Sequence, residues 1–97
     1  MPSNDTPHQR FPLGRIVATP AALDALAASG ESVHKLLMRH SAGDFGAVCA
    51  ADWRANEEAI ASGARVFSAY ELTDGTKVSV ITESDRSATT LPLPDEY

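Results

Sequence analysis

Few side chains in this 97-residue chain could do chemistry. His40, Asp44, Glu83, Asp85 and Arg86 form the reactive inventory, with His34 and His8 less well placed. General acid–base work needs a titratable group beside a partner that holds and tunes it, and His40–Asp44 or His40–Glu83 would be such a pair. A histidine at a helix end is equally well accounted for by the helix dipole and the last carbonyls. A metal site would need three or four ligands converging. The sequence has no His-x-x-x-His or Cys-x-x-Cys spacing, and His34 and His40 fall on different faces of a helix. Ser68, Ser87, Thr89 and Thr90 offer hydroxyls without a Gly-x-Ser-x-Gly elbow. There is no phosphate loop and no dinucleotide fingerprint. No catalytic residue, metal ligand or cofactor is therefore assigned. The lone cysteine, Cys49, excludes an internal disulfide framework, and its apolar neighbours Ala47, Val48, Ala50 and Ala51 predict a buried, inert thiol.

The remaining polar candidates read as binding or bracing groups. Asp85-Arg86 sits where a hairpin turn is expected. Asp85 would cap the turn, and Arg86 would pair with Glu83 or the C-terminal carboxylates. Alternatively, Arg86 and Arg65 at the same sheet end would grip a carboxylate or phosphate. Asn56 lies between Trp53 and Ile60 at helical spacing, so its amide must find partners if buried. It would tie down the Ser41–Gly46 loop or a strand end. The candidate binding set is His40, Asp44, Asn56, Arg65, Ser68, Tyr70, Glu83, Asp85, Arg86 and Thr89.

The elements that must position these groups are legible in the residue pattern. Residues 1–13 read as a flexible leader, punctuated by Pro2, Pro7 and Pro12. Asn4-Asp5-Thr6 fits a glycosylation acceptor, but no secretion signal accompanies it. Gly14–Thr19 predicts a short strand. Thr19 caps a helix with Pro20 at its first position and Gly30 at its end. A second helix runs from about Ser32 to His40, with Val33, Leu36, Leu37 and His40 on one face. Two glycines around Asp44-Phe45 predict a tight turn. A third helix covers about Ala50 to Ser62 and stops at Gly63.

From Arg65 the period changes to two. Runs 65–72 and 77–83 flank Asp74-Gly75, a strong hairpin signal. A two-residue turn there pairs Leu72 with Lys77, Tyr70 with Ser79, Ser68 with Ile81 and Val66 with Glu83. Phe67, Ala69, Val78, Val80 and Thr82 then form the core face. Val66, Ser68, Tyr70, Leu72, Ser79, Ile81 and Glu83 form a mixed outer face, extended by Ser87 and Thr89 from a third strand over 87–91. Pro92 and Pro94 end that strand. The expected fold is α+β, a short N-terminal strand and three helices packed on a three-stranded antiparallel meander, as a single domain over 14–97.

Composition fits this outline, with 43% hydrophobic and 22% charged residues. The net charge of −5 argues against a nucleic-acid binder, which needs clustered cations. The first twenty residues are slightly basic, and the rest of the chain is acidic throughout. Such a balance reads as a solvated mixed surface or as an acidic face that docks a basic partner. No apolar run approaches the length of a membrane helix, and the expected compartment is the cytoplasm.

The run Ile81-Thr82-Glu83-Ser84-Asp85-Arg86-Ser87-Ala88-Thr89-Thr90, followed by Leu91-Pro92-Leu93-Pro94-Asp95-Glu96-Tyr97, resembles a set of small bacterial proteins encoded on plasmids and other mobile elements, often labelled plasmid-related. Arg39-His40, Gly43-Asp44-Phe45-Gly46, Asp52, Asn56 and Arg65–Tyr70 look similar as well. The resemblance spans about residues 14–97. It departs at Ser79, where an aromatic is more usual, and at Phe45, where Trp is usual. It implies a mobile-element context without a mechanism. The functional expectation is a small non-enzymatic interaction protein, a monomer or homodimer, that binds or obstructs a host protein, inhibition of a defence protein being one version. The alternative is a small enzyme or ligand-binding protein with a polar site on the outer sheet face.

Overall fold

The computed structural model describes residues 9–97. The first eight residues of the leader, with Asn4-Asp5-Thr6 and His8, lie outside the described residues. Seven regular elements follow: β1 (Arg15–Ala18), α1 (Pro20–Ser29), α2 (Val33–Ser41), α3 (Ala50–Ser62), β2 (Val66–Glu71), β3 (Lys77–Thr82) and β4 (Ala88–Leu91). A 3-10 turn at Pro94–Glu96 ends the chain. The class is α+β, as the residue pattern predicts. The antiparallel meander of β2, β3 and β4 gains β1 as a fourth, parallel strand, in the order β1-β4-β3-β2.

The caps explain the helix limits. Thr19 Oγ1 accepts the Ala22 N–H at 3.1 Å, and Gly30 closes α1 at φ 75°. Ser32 Oγ accepts the Lys35 N–H at 3.1 Å to start α2. Cys49 precedes α3 without a side-chain cap and is exposed, not buried as its apolar neighbours predict. The physical reason is position. It stands at the mouth of a helix rather than on its inner face.

The hairpin differs from the expected register by one residue. Glu71 pairs with Lys77, Tyr70 with Val78, Ser68 with Val80 and Val66 with Thr82. The turn takes three residues, Thr73 to Gly75. The Gly75 N–H donates to Leu72 C=O at 2.9 Å, the Leu72 N–H to Thr76 C=O at 2.7 Å, and Gly75 stands at φ 88°. This is a type I turn with a left-handed glycine, the alternative to the two-residue loop. Tertiary bonds support it, because Thr73 Oγ1 donates to Ser29 C=O at 3.0 Å and the Thr73 N–H to Glu31 Oε2 at 3.2 Å. A one-residue slip turns a whole strand over relative to its partner. Val66, Ser68, Tyr70 and Leu72 therefore point inward with Val78, Val80 and Thr82, while Phe67 turns out to 37% exposure. The mixed face expected on the outside of β2 is the inside of the molecule.

Two apolar clusters fill the interior. One joins Ala22, Leu26, Leu36, Tyr70, Leu72, Val78, Val80 and Leu91. The other joins Phe11, Phe45, Ala59 and Val66. Phe11 belongs to a stretch that reads as leader, yet it is buried. The Arg10 N–H donates to Ser41 C=O at 2.7 Å, and the Arg10 guanidinium grips the Glu57 carboxylate in two bonds of 2.7 and 2.9 Å.

Candidate functional site

A buried polar chain occupies the seam between the two apolar clusters. His40, from the last turn of α2, has no exposed surface. Its Nδ1 lies 2.6 Å from Ser68 Oγ on β2, and its Nε2 lies 2.9 Å from Thr82 Oγ1 on β3. Thr82 Oγ1 lies 2.7 Å from Thr89 Oγ1 on β4, and Thr89 Oγ1 donates to Leu13 C=O at 2.7 Å. The chain thus runs from β2, near one sheet edge, to the segment that enters β1 at the other.

Its direction follows from its last acceptor. Leu13 C=O only accepts, so the Thr89 hydroxyl proton is spent there. Thr89 Oγ1 must then accept from Thr82, and Thr82 Oγ1 from His40 Nε2–H. The network thus fixes a proton on His40 Nε2; with the imidazole neutral, Nδ1 is bare and accepts the Ser68 hydroxyl proton, which is the Nε2–H tautomer. Burial, with the Arg86 charge adding to it, pushes the imidazole from 6.5 down to about 4. The Phe11 ring meets His40 edge-on at 5.3 Å, and the Arg86 guanidinium stands 5.4 Å from the centre of that ring.

Ser68 and His40 have the spacing of a nucleophile and its base. Both have zero exposure, so the pair as folded offers no surface to a substrate. What this arrangement does is join α2 to three strands.

The other candidate residues are spent in the same manner. Asp44 does not meet His40. Its carboxylate takes Arg39 Nε at 2.8 Å and the Gly46 N–H at 3.2 Å, and Arg39 holds it below the ordinary carboxylate range. Tyr70 donates its hydroxyl to Asp44 C=O at 2.6 Å, and burial drives the phenol well above its usual value. Glu83 faces Arg65 at 3.7 Å. Asp85 accepts the Ser87 N–H at 3.0 Å and so caps its turn. Arg86 stands at φ 60°, and its guanidinium donates to the carbonyls of Ala64, Glu83 and Ala59 at 2.7, 3.1 and 3.1 Å. Among the described residues it pairs with no carboxylate. It satisfies the end of α3, so the expected Arg65–Arg86 grip is not assembled. Asn56 braces a strand. Its amide donates to Phe67 C=O at 2.6 Å and accepts the Phe67 N–H at 3.0 Å, standing in for a neighbouring peptide group.

The structure thus brings together His40, Ser68 and Thr89 from the candidate set and adds Thr82, Phe11 and Leu13. A threonine ending an aliphatic strand was the available signal for Thr82. An aromatic between polar leader residues was the signal for Phe11. Among the described residues, no three His, Cys, Asp or Glu side chains converge, and no buried side-chain nitrogen or oxygen lacks a partner. No helix among them is long and apolar enough to cross a membrane.

One concavity borders this network at Leu13. It has a volume of about 710 Å³, and Leu13, Ile16, Leu37 and Met38 supply its apolar wall. It lies between β1 and α2. No family model, curated protein or solved structure matches the chain.

Proposed function

We propose that this chain is a small interaction protein of mobile-element origin that binds and modulates a host protein in the bacterial cytoplasm without catalysing a reaction. Inhibition of a defence protein is one version of that role. The observation that supports it is the internal use of nearly every reactive side chain. His40, Ser68, Tyr70, Arg86 and Asn56 all bond within the fold, and none is presented to a ligand. The acidic-face version draws less support. Glu31, Asp44, Glu57 and Glu83 lie beside bases, while Asp74, Asp85 and Glu96 bond turn or cap groups. Contact with a partner is better sought on the uncommitted backbone and apolar surface.

A second reading, binding of a small apolar ligand, is favoured by the concavity beside β1. The polar outer sheet face offers it nothing, since Ser68, Tyr70 and Thr89 point inward. The test is affinity purification from bacterial lysate, followed by titration of the purified candidate in a calorimeter. A saturable complex of fixed stoichiometry with a protein is expected. Saturable binding of metabolites alone, with no protein complex, would overturn the reading.

A further inference from the structure

The two edges of the sheet are not equivalent, and among the described residues β1 has the open one. Its ladder bonds follow a strict alternation. The Arg15 N–H donates to Ser87 C=O at 3.0 Å and the Thr19 N–H to Leu91 C=O at 3.1 Å. In a parallel pair this parity sends the backbone groups of Arg15, Val17 and Thr19 toward β4. The N–H and C=O of Ile16 and Ala18 therefore face away from the sheet. Ile16 and Val17 are each 42% exposed, which is unusual for β-branched residues in a strand.

The side chains on this edge divide the same way. Ala18 packs on the core, and Ile16 lines the concavity with Leu13, Leu37 and Met38. This is the helix side of the sheet, and there the layer beneath β1 is unfilled. Arg15 lies on the other side, exposed, and makes no ion pair among the described residues. From Gln9 to Pro20 the chain carries two arginines and no acid, and Arg10 is already held by Glu57.

We infer that the β1 edge takes an added strand: an extended segment of a partner protein with alternating apolar residues and a carboxylate opposite Arg15. The inference rests on the interaction reading and gives it a surface. Backbone groups of Ile16 and Ala18 would bond the segment, as in other strand additions. Its inward side chains would enter the concavity against Leu37 and Met38. Its outward carboxylate would meet Arg15. A second copy of this chain fits less well, because antiparallel pairing of two β1 edges places two Arg15 guanidinium groups on one face of the same strand pair, with no acid on β1 between them.

The test uses the full chain and a fluorescein-labelled hexapeptide of alternating valine and glutamate, with a valine–lysine peptide as its counterpart. Saturable binding below about 1 mM is expected, with amide shifts confined to Leu13–Ala18 and the Leu37–Met38 side of α2. Arg15→Glu should weaken the glutamate peptide by about ten-fold and improve the lysine peptide to a similar degree. Ala18→Pro removes one outward donor without touching the ladder to β4, and it should also cost about ten-fold while the circular dichroism spectrum is kept. Equal binding of both peptides, no saturation, or shifts elsewhere would overturn the inference. So would a concentration-dependent dimer in sedimentation whose protected amides are those of Ile16 and Ala18, which would make a second copy the occupant. A protein complex that survives Arg15→Glu and Ala18→Pro would overturn this surface and leave the interaction reading standing. Absence of any protein complex with the unaltered chain would remove both.

Discussion

The two sheet edges carry the same kind of backbone groups and treat them in opposite ways. On the β2 side, Phe45–Ala47 runs beside the strand. The Ala69 N–H donates to Phe45 C=O at 3.1 Å, and the Ala47 N–H donates to Ala69 C=O at 2.7 Å. One step along, the Asn56 amide takes both groups of Phe67. The edge is covered at both Phe67 and Ala69. On the β1 side, Ile16 and Ala18 face outward with a concavity below them. Exposed edges invite pairing with other chains, and proteins commonly spend residues to block them. Here one edge is blocked by a glycine-built loop and an asparagine, and the other is left open among the described residues. The contrast makes the open edge a feature to be explained.

The largest expected effect is at the covered edge. Gly46 sits at φ 75°, and a Cβ there would run into Ala69 O and approach Tyr70 Cδ1 at 2.6 Å. Gly46→Ala should destabilise the fold by about 4 kcal/mol, combining left-handed strain with a backbone clash. Gly75 stands at φ 88°, and a Cβ there would meet nothing within 4 Å, so Gly75→Ala should cost about 1 kcal/mol. Urea melts of the two variants measure the difference. Equal costs would mean the strand beside β2 yields easily and the edge is not truly closed.

The second effect tests the chain that spans the sheet between its edges. The unfolded His40 takes a proton as pH falls through 6.5, and the folded one resists until about 4. Its neutral form therefore supports the fold fully above 6.5, and that support is lost as pH falls from 6.5 toward 4, to a total of about 3 kcal/mol. Asp44 is held below its ordinary 3.8, so its stabilising contribution is lost only in more acid solution. Stability measured between pH 6.5 and about 5 isolates the histidine. His40→Gln should flatten that slope. A slope that survives the substitution would place the titrating group elsewhere.

Third comes Asn56. Asn56→Ala leaves the Phe67 N–H and C=O without their side-chain partner, at a cost of about 2 kcal/mol. Asn56→Asp keeps the acceptor and sets a carboxylate against Phe67 C=O, so it should be no better. Opening this edge should also raise self-association in sedimentation at unchanged charge for Asn56→Ala. If association does not rise, exposed strand groups alone do not make an edge adhesive here, and the open β1 edge owes its meaning to the concavity and Arg15.

How much of this was legible follows the range of the interactions. The helix limits rest on Thr19, Gly30, Ser32 and Gly63, each acting within a turn or so of its own position, and the residue pattern found them. The short strand before Pro20 was legible for the same reason. The β2 register was not, because Thr73 is held by Ser29 and Glu31, far away in the chain. That single residue of register moved Ser68 and Tyr70 from an outer face to the core. Asn56 was recognisable as a brace, although which group it braces was open between a loop and a strand end. The destinations of His40 and Arg86 depend on tertiary placement. Neither the dipole of α2 nor a carboxylate near Arg86 turned out to be the partner.

The smallest expected effect separates the open edge from the segment that leads to it. Arg10 and Glu57 form a two-bond ion pair between the residues before β1 and α3, each partly exposed to solvent. Exposed pairs contribute about 0–1 kcal/mol, and salt weakens them further. Glu57→Ala should therefore lower stability by about 0.5 kcal/mol at low salt and by less in high salt. Phe11 beneath it is buried, and Thr89 still bonds Leu13, so the path into β1 should keep its place. Hydrogen exchange at Arg15 and Val17, whose N–H groups face β4, should be unchanged in the variant. Faster exchange at both would show that the ion pair, and not the polar chain ending at Leu13, holds β1 against the sheet.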